Sequence, residues 1–391
     1  MVLKKYKIGD ILELQRGYDL PSSQMEDGDV LVAGSNGVIG THNVARGKMP
    51  CITVGRSGSV GKVHFYDQPV WAHNTSLFVK DFKGNDPKYL FYFLRNLHLD
   101  EIFGKSSSVV PSLDRKVVHA MKVPFQDDVN KQKDVADVLS LLDRKIALNR
   151  AINDNLEAMA KQLYDYWFVQ FDFPNEEGKP YKSSGGKMEW NEKLKREVPE
   201  GWNVCNLSNY LHVVTERVSA NIVDENTRYA PIEVLPRKKM SFNECAPIEN
   251  AVSGLCAFQQ KNILLSNRRV YFHKVCIAAF DGITRDTVIV LKPTNRDLLG
   301  YSYQLVNDDV FIEYATRHSY GSEQPVLSWE SAKIYKVLKP ESGLDIVYSN
   351  FVNSIIDCVL KNEIEIANLT KQRDELLPLL MNGQVSPLNS D

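Results

Sequence analysis

The sequence lacks the features that define several protein classes. Among its 391 residues no apolar run approaches the roughly 18–20 residues of a membrane span, and the longest, such as 275–280, are strand-sized. The first ten residues contain no signal-peptide hydrophobic region. The six cysteines form no C-x-x-C pair and no regular spacing, which argues against both a zinc site and a disulfide framework. We therefore expect a reduced, cytoplasmic, soluble protein of two or three domains.

A net charge of one sign is also missing, since 47 basic and 49 acidic side chains give −2. This total argues against a nucleic-acid partner, because such proteins usually carry a basic surplus. By segment, residues 1–125 hold 16 basic and 12 acidic side chains and residues 201–340 hold 16 and 14, whereas residues 126–200 hold 12 and 15 and residues 341–391 hold 3 and 8. Two positive segments therefore alternate with two negative ones, although offsets this small also arise by chance on solvated surfaces.

Motifs for catalysis are not found. Residues 55–62 (GRSGSVGK) resemble a phosphate-binding loop, but the glycine spacing is one residue too long and Val63 replaces the Ser or Thr that would reach Mg²⁺. We interpret them as a Gly-rich hairpin or loop. The eight histidines show no metal-site pair, and no carboxylate cluster typical of a nuclease stands out. Residues 281–285 could form a catalytic turn, but an ordinary turn with one exposed arginine explains them better. The chain is therefore not expected to be an enzyme by itself.

The strongest positive feature is an internal repeat. Apolar residues follow a helical period over 135–167, and the same pattern returns over 348–380, at an offset of 213 residues. No Gly or Pro interrupts residues 131–173. Two such amphipathic helices are expected to bury their stripes against each other as a coiled coil, with Asn149 and Asn362 as register-setting residues on the seam. The alternative is two ordinary core helices of one globule.

The segments before the helices resemble each other as well. Each contains short β-branched and aromatic runs separated by Gly, Asn and Ser, which predicts strands over 28–32, 51–54, 62–66, 76–80, 262–266, 274–278 and 287–291. Short helices are expected over 87–96 and 297–306. The predicted fold class is therefore α+β with a repeated order: globule, helix, linker, globule, helix.

Polar and basic side chains concentrate in the loops of both globular segments. Arg and Lys can pair with guanine, Asn with adenine, and Ser, Thr and Lys with phosphates. Each such residue taken alone is more often a solvated loop residue, but their density in both repeats favours DNA contact. The candidate DNA-binding residues are Arg16, Asn36, Arg46, Lys48, Arg56, Ser57, Ser59, Lys62, Asn74, Lys105, Arg217, Arg237, Lys238, Lys239, Asn267, Arg268, Arg269, Arg285, Arg317 and His318.

Aromatic residues crowd the end of the first long helix. They offer more aromatic area than one helix end is expected to hide, and aromatic-rich patches are typical of interface cores. The candidate partner-binding residues are Tyr164, Tyr166, Trp167, Phe168 and Phe171. The alternative is that Trp167 and Phe168 cap this chain's own coiled coil.

Along nearly its full length the chain resembles the specificity subunits of type I restriction-modification systems. The most specific stretches are Asp143–Ile146 (DRKI), Gln162–Phe168 (QLYDYWF), Gly178–Met188 (GKPYKSSGGKM), Pro199–Trp202 (PEGW) and Gln372–Gln384 (QRDELLPLLMNGQ). The resemblance implies two target recognition domains separated by a pair of long antiparallel helices with a pseudo-twofold internal repeat, each domain binding one half of a bipartite DNA target. It also implies two modification (methyltransferase) subunits docked on the helices and central segment, and restriction motor-nuclease subunits. S-adenosylmethionine, ATP and Mg²⁺ would belong to those partners, and no cofactor or metal to this chain.

On this basis we expect six segments: target recognition domain 1 (1–125), long helix 1 (126–173), a central linker (174–201), target recognition domain 2 (202–340), long helix 2 (341–383) and a tail (384–391). Two other functions stay open. One is a fused chain with its own methyltransferase or endonuclease activity, and the other is a coiled-coil adaptor that binds no DNA.

Overall fold

A computed structural model describes residues 3–47, 49–104, 112–220, 223–341 and 343–386. The chain divides into two compact units. Unit 1 comprises Met1–Lys145 with Leu369–Asp391, and unit 2 comprises Ile146–Asn368. In the described ranges no helix is both long enough and apolar enough to cross a membrane.

Unit 1 is built on short strands and helices that precede the first long helix. The strands are β1 (Lys4–Lys7), β2 (Glu13–Arg16), β3 (Val30–Gly34), β4 (Gly37–His42), β5 (Cys51–Gly55), β6 (Val63–Tyr66), β7 (Val70–Ala72), β8 (Ser76–Asp81) and β9 (Lys122–Phe125). The helices are α1 (Ile8–Ile11), α2 (Pro87–Asn96), α3 (Leu99–Phe103), α4 (Arg115–Ala120) and then α5 (Val129–Tyr164), which continues into unit 2. The sheets have the strand orders β2-β8-β5-β6, β4-β3-β7 and β1-β9.

Local sequence explains why α2 forms where the periodicity predicts it. The carboxylate of Asp86 accepts a hydrogen bond from the Tyr89 amide at 2.8 Å and caps the helix, and Pro87 occupies its first position. The apolar side of the helix is buried in the core of unit 1, together with the central strand β5. The predicted helix over 87–96 is confirmed at both ends.

Unit 2 repeats this plan with a larger sheet. Its strands are β10 (Met188–Asn191), β11 (Arg196–Pro199), β12 (Asn203–Asn206), β13 (Leu211–Val213), β14 (Arg217–Val218), β15 (Ser241–Phe242), β16 (Leu255–Phe258), β17 (Ile263–Ser266), β18 (Val275–Ala278), β19 (Gly282–Arg285), β20 (Val288–Pro293) and β21 (Lys336–Lys339). The helices are α6 (Leu299–Asn307), α7 (Asp309–Arg317), α8 (Trp329–Ala332) and α9 (Leu344–Met381), which continues into unit 1. The sheets have the orders β13-β20-β17-β18-β15, β14-β16-β19, β12-β21 and β10-β11.

The two long helices run antiparallel within each unit. In unit 1, Leu377, Leu380 and Met381 of α9 share a core with Val135 and Leu139 of α5. Close by, Nη1 of Arg373 donates to Oδ1 of Asp143 at 2.8 Å, and the hydroxyl of Tyr92 donates to Oδ2 of the same carboxylate at 2.7 Å. Apolar packing and an ion-paired network therefore act together at this part of the pair.

In unit 2 the helix pair carries a polar seam. The side-chain amide of Asn149 donates to the Glu365 carboxylate at 2.9 Å. The side-chain amide of Asn153 donates to the Glu363 carboxylate at 3.0 Å, and its Oδ1 accepts a hydrogen bond from Nδ2 of Asn362 at 2.8 Å. Both predicted register residues lie on this seam. They do not bond to each other, and Asn153 makes the contact with Asn362.

The first long helix ends sooner than the predicted 126–173. It begins at Val129, where the carboxylate of Asp128 accepts the Asn130 amide at 3.0 Å, and α5 passes at Tyr164 into a π-helical turn, Asp165–Val169. Phe171 then adopts φ +66°, a left-handed conformation that no helix continues through.

The central segment is folded rather than an open linker. Strands β10 and β11 form an antiparallel hairpin, and Phe173 stacks between Tyr181 and Trp202 at centroid distances of 4.6 and 5.2 Å. Val198 and Trp202 join the core of unit 2. Residues 174–201 therefore contain a hairpin that Val198 anchors in the core of unit 2, while most of their side chains are exposed.

Candidate nucleic-acid interface

The internal repeat extends to the hydrogen bonds of two loops. We call residues 56–62, between β5 and β6, loop A, and residues 267–274, between β17 and β18, loop B. In loop A the amide of Arg56 donates to the Thr75 carbonyl at 2.9 Å, and in loop B the amide of Asn267 donates to the Thr287 carbonyl at 3.0 Å. The carbonyl of Arg56 accepts from the Leu113 amide at 2.8 Å, as that of Asn267 accepts from Leu327 at 2.9 Å. The two loops thus share one backbone frame but present different side chains.

In unit 1, loop A borders a cleft of about 970 Å³. Three predicted residues, Arg16, Arg46 and Arg56, line it together with Arg115. The sequence analysis did not include Arg115. A signal for it was present, because Asp114 is a helix-capping residue and places Arg115 at the first position of α4; the Asp114 carboxylate accepts from the Lys116 amide. Four guanidinium groups face two carboxylates there, those of Asp19 and Asp114, which leaves the cleft lining with a net positive charge.

Short polar contacts orient several of these side chains. Arg16 pairs with Asp19 at 3.2 Å, and Asp19 also accepts a hydrogen bond from the Asn74 amide group. Nη1 of Arg56 donates to the carbonyl of Asn74 at 3.3 Å. Asn74 therefore holds neighbouring arginines and is less available for a base than the sequence predicted.

Arg46 is positioned by aromatic rings. Its guanidinium carbon lies 5.3 Å from the ring centre of Tyr18 and 4.8 Å from that of Trp71. Its backbone is fixed too, because its amide donates to the Val70 carbonyl at 2.9 Å and its carbonyl accepts from Ala72 at 3.1 Å. The side chain is exposed on a rigid base.

The other candidates of unit 1 are more dispersed. Nζ of Lys62 donates to Oδ1 of Asn36 at 2.8 Å, and both residues are exposed. Ser57 and Ser59 are half-buried in loop A. Lys48 and Lys105 lie outside the described residues.

In unit 2 three candidate DNA-binding residues, Lys238, Lys239 and Asn267, already bond to other residues of the fold. Lys238 pairs with Asp309 at 3.2 Å, and Lys239 forms an ion pair with Asp154 of α5 that raises the pKa of the lysine. Nδ2 of Asn267 donates to the Asp286 carbonyl at 2.7 Å. Because the Asn267 side chain anchors loop B, we correct its role from base contact to loop positioning.

Arg285 and the pair at the end of α7 are also held by neighbours. Arg285 is half-buried on β19. Arg317 forms an ion pair with Glu313, and His318 stacks on Tyr314 at 3.9 Å with its Nδ1 2.8 Å from the Tyr314 carbonyl. These side chains have less freedom to meet DNA than the sequence predicted.

Several basic side chains of unit 2 remain exposed. Arg269 of loop B is exposed and has φ +48°, in the left-handed region. Arg268 is half-buried, and its backbone bridges to Val326. Arg217 is exposed on β14, and exposed Arg237 lies 4.0 Å from the ring centre of Phe272 in loop B. Arg269 and Arg237 therefore place accessible positive charge at loop B.

The aromatic cluster at the end of α5 is mostly internal. Tyr164, Phe168 and Phe171 belong to the core of unit 2, where Phe168 lies 4.7 Å from Tyr301. Trp167 packs partly against the same core. Tyr164, Phe168 and Phe171 therefore have little surface for a partner, which corrects the prediction for them. Trp167 is half-buried, and its packing beside Phe168 supports the alternative for these two residues. Tyr166 differs, with 38% of its surface exposed.

Across the described ranges, no three His, Cys, Asp or Glu side chains lie together as potential metal ligands. The six cysteines are free thiols, half of them buried.

Comparison with known proteins identifies the fold and the domain. The family model described as the type I restriction modification DNA specificity domain matches residues 3–158. Residues 3–158 are thus similar to the type I restriction-modification DNA specificity domain. This confirms the resemblance that the sequence motifs indicated. The matched residues include the arginine cleft, loop A and most of α5.

Two curated relatives and one solved structure extend beyond this specificity domain. The chain is 23% identical to the type I restriction enzyme MjaIX specificity subunit of Methanocaldococcus jannaschii, over 76% of this chain and 69% of that protein. It is 21% identical to the HindI specificity subunit of Haemophilus influenzae, over 76% and 77%. The crystal structure of a type I restriction-modification S subunit from M. genitalium matches 97% of this chain and 96% of that one, with 15% identity and a TM-score of 0.61. The last likeness concerns the fold alone.

Proposed function

We propose that this chain is the DNA sequence-specificity subunit of a type I restriction-modification complex. Each unit binds one half of a bipartite target, through the side chains around loop A in unit 1 and loop B in unit 2. The observation that carries the proposal is the shared backbone frame of the two loops with different side chains: Arg56 stands where Asn267 stands in the repeat. A duplicated scaffold with divergent loops is suited to two different half-sites.

The electrostatic balance supports this division of labour. The segments 1–125 and 201–340 carry the basic surplus, and the segments that hold the long helices carry the acidic one. The surplus on each recognition domain is small, so phosphate attraction by this chain alone is modest. Partner subunits would then supply much of the affinity while this chain supplies the choice of sequence.

The long helices set the spacing of the half-sites in this proposal. Their polar seam of Asn149, Asn153 and Asn362 fixes one register of the pair, because any slip leaves buried amides unpaired. A fixed register of this pair is the feature that, in our proposal, fixes the spacing of the half-sites.

Modification subunits dock, we further propose, on the helix pair of unit 2. An open groove of about 590 Å³ there is lined by Met159, Leu163, Tyr166 and Phe351. Met159 and Phe351 are about half exposed, at 50% and 49%, an arrangement typical of an interface rather than of a solvated helix face. Those subunits bring S-adenosylmethionine and the methyl-transfer chemistry; motor-nuclease subunits bring ATP and Mg²⁺.

Domain exchange tests the proposal. The chain is co-produced with its modification subunits in a host without adenine methylation, and methylated adenines are mapped across the genome. Exchanging residues 1–125 for the block of another family member should change one half of the methylated motif, and exchanging residues 202–340 should change the other half. An unchanged motif in either exchange would overturn the assignment.

The two alternative functions have their own readouts in the same system. A fused enzyme predicts that the purified chain methylates or cleaves DNA without other subunits. A non-binding adaptor predicts that Arg56→Ala and the double change Arg268→Ala with Arg269→Ala leave the affinity of the complex for its target unchanged.

A further inference from the structure

Five arginines lie over aromatic rings, and their hydrogen bonds separate them into two groups. They are Arg46, Arg95, Arg196, Arg228 and Arg237. In the first group the guanidinium has a partner in the fold, through a hydrogen bond for Arg228 and an ion pair for Arg95. Nη2 of Arg228 donates to the Asn243 carbonyl at 2.9 Å, and Arg95 lies 3.9 Å from the Asp143 carboxylate. These two arginines hold the fold together.

The second group keeps its donors unpaired. Arg46, Arg196 and Arg237 are exposed, and within the described residues no acceptor bonds to their guanidinium groups. Of these, Arg46 belongs to the recognition block of unit 1 and Arg237 to that of unit 2. Arg196 lies on the central hairpin, over Phe171 at 5.1 Å. Each recognition block thus has one stacked arginine with an open donor edge.

Stacking prepares an arginine for a base edge. The ring covers the flat face of the guanidinium, so the N–H donors, which lie in its plane, point outward. The rings also restrict the side chain before binding, which lowers the entropy lost on contact. The donor pair matches the O6 and N7 acceptors of guanine in the major groove. A lysine ammonium offers charge without this planar pair of donors.

Both arginines lie beside the loops already described. Arg46 lines the same cleft as Arg56 of loop A. Arg237 rests on Phe272 of loop B, and the neighbouring Lys238 amide donates to the His273 carbonyl at 2.9 Å, which ties this segment to the loop. The two arginines are not equivalent in the repeat, because the backbone frame of Arg46 returns in unit 2 at Tyr229. Each unit nevertheless places one stacked arginine with open donors beside its loop, which points to a shared task.

We infer that Arg46 and Arg237 each recognise one guanine, one in each half of the DNA target. The inference rests on the proposed function and adds a base identity to each half-site. The remaining arginines of the cleft, including Arg16 and Arg115, then serve phosphate attraction and orientation.

Lysine substitutions test the inference, since they keep the charge and remove the paired donors. The whole methyltransferase complex carrying Arg46→Lys should methylate a motif in which one guanine of one half is relaxed, with discrimination at that position reduced about tenfold or more. Arg237→Lys should relax a guanine in the other half only. Arg196→Lys is the matched control, stacked and exposed but outside both recognition blocks, and should leave the motif unchanged.

Three results would overturn the inference. They are an unaltered motif in Arg46→Lys or Arg237→Lys, relaxation at a base other than guanine, and a uniform loss of methylation at every site with the motif intact, which marks a phosphate contact. Thermal unfolding of the purified complex is measured for Arg46→Gln and Arg237→Gln as well. A variant that unfolds like the wild type but methylates an altered motif has lost recognition and is not misfolded. A bipartite wild-type motif that changes with domain exchange but not with these variants would leave the proposed function standing and remove this inference alone.

Discussion

Arg56 and Asn267 occupy the same position in the two units: each amide donates to a threonine carbonyl, and each carbonyl accepts from a leucine amide. Their side chains nevertheless act differently. Arg56 extends into the cleft of unit 1, whereas Nδ2 of Asn267 donates back to the Asp286 carbonyl at 2.7 Å. In unit 1 the side chain at this position lines an open cleft, and in unit 2 it secures its loop.

Alanine substitutions should therefore have opposite effects at these two positions. Arg56→Ala should weaken target binding by about 1–3 kcal/mol, because it removes a cleft cation, and should leave stability nearly unchanged. Asn267→Ala should lower the free energy of unfolding by about 0.5–1.5 kcal/mol, because it removes the bond to Asp286. DNA-binding isotherms and urea unfolding check both, and equal effects in the two assays would contradict the assigned roles.

A second prediction concerns the backbone of Arg269. Its φ of +48° costs a non-glycine residue about 1–2 kcal/mol, a strain that persists most often at functional sites. Arg269→Gly should raise the unfolding free energy by about 1 kcal/mol and reduce DNA affinity. Lys195, at φ +53° in the central hairpin, provides the control. Lys195→Gly should stabilise the chain without changing DNA affinity, and a loss of affinity there would argue that the strain itself matters.

The carboxylate of Asp143 is the centre of a network that is largely buried. It accepts hydrogen bonds from Tyr92 and Arg373, and Arg373 is only 14% exposed. Asp143→Asn should lower the unfolding free energy by about 1–2 kcal/mol, since it removes one charge of the pair. The control is Glu13→Gln, which removes an ion pair between Glu13 and Lys80 that is about half exposed. Glu13→Gln should change the free energy of unfolding by no more than about 0.5 kcal/mol.

Stability should fall with rising pH because of one carboxyl group on α5. Burial raises the pKa of Glu157 to about 7, despite the amide of Met240 and the charge of Lys239, and the nearby Asp154 and Glu363 raise it further. In this case the folded state binds more protons than the unfolded state between pH 4.5 and 7. The contribution of Glu157 to the free energy of unfolding is therefore fully present below pH 4.5 and is lost as pH rises through 7.

Glu157→Gln isolates this effect. The variant should unfold like the wild type near pH 4.5 and be more stable by about 1–3 kcal/mol at pH 8, where the wild type holds a buried charge. Denaturant unfolding across this pH range measures the difference. Glu192→Gln, on the exposed hairpin, should follow the wild type, and an unchanged pH slope in Glu157→Gln would show that Glu157 is solvated.

Local sequence patterns predicted the two long helices and seven of the strands that the described residues form. The period of apolar residues located α5 and α9, and β5 begins at its predicted residue, because both features depend on neighbours in the chain. Contacts between distant residues were not visible. Lys239 and Asp154 are 85 residues apart, so a lysine expected at DNA proved to be paired.

The helix seam shows a second limit of sequence patterns. Asn149 and Asn362 are equivalent in the repeat, and equivalence does not mean contact in an antiparallel pair. Each residue there faces a partner counted from the opposite end, so Asn149 meets Glu365 and Asn362 meets Asn153. The partner-binding prediction for the aromatic cluster was wrong for a related reason. The chain turns at Phe171, which has a left-handed conformation, and the aromatic side chains pack in the core of unit 2.

The last prediction uses this seam to separate target spacing from target identity. A heptad inserted after Arg150 in α5 and another before Glu365 in α9 would leave the Asn149–Glu365 and Asn153–Glu363 pairs intact on either side of the insertion. Seven helical residues add about 10 Å, which corresponds to about three base pairs. Under the proposed function both half-sites should keep their bases while the spacer lengthens. Mapping of methylated adenines checks this, with a heptad in α5 alone as the mismatched control that should abolish methylation. A changed half-site with an unchanged spacer would mean that the helices do not measure the target.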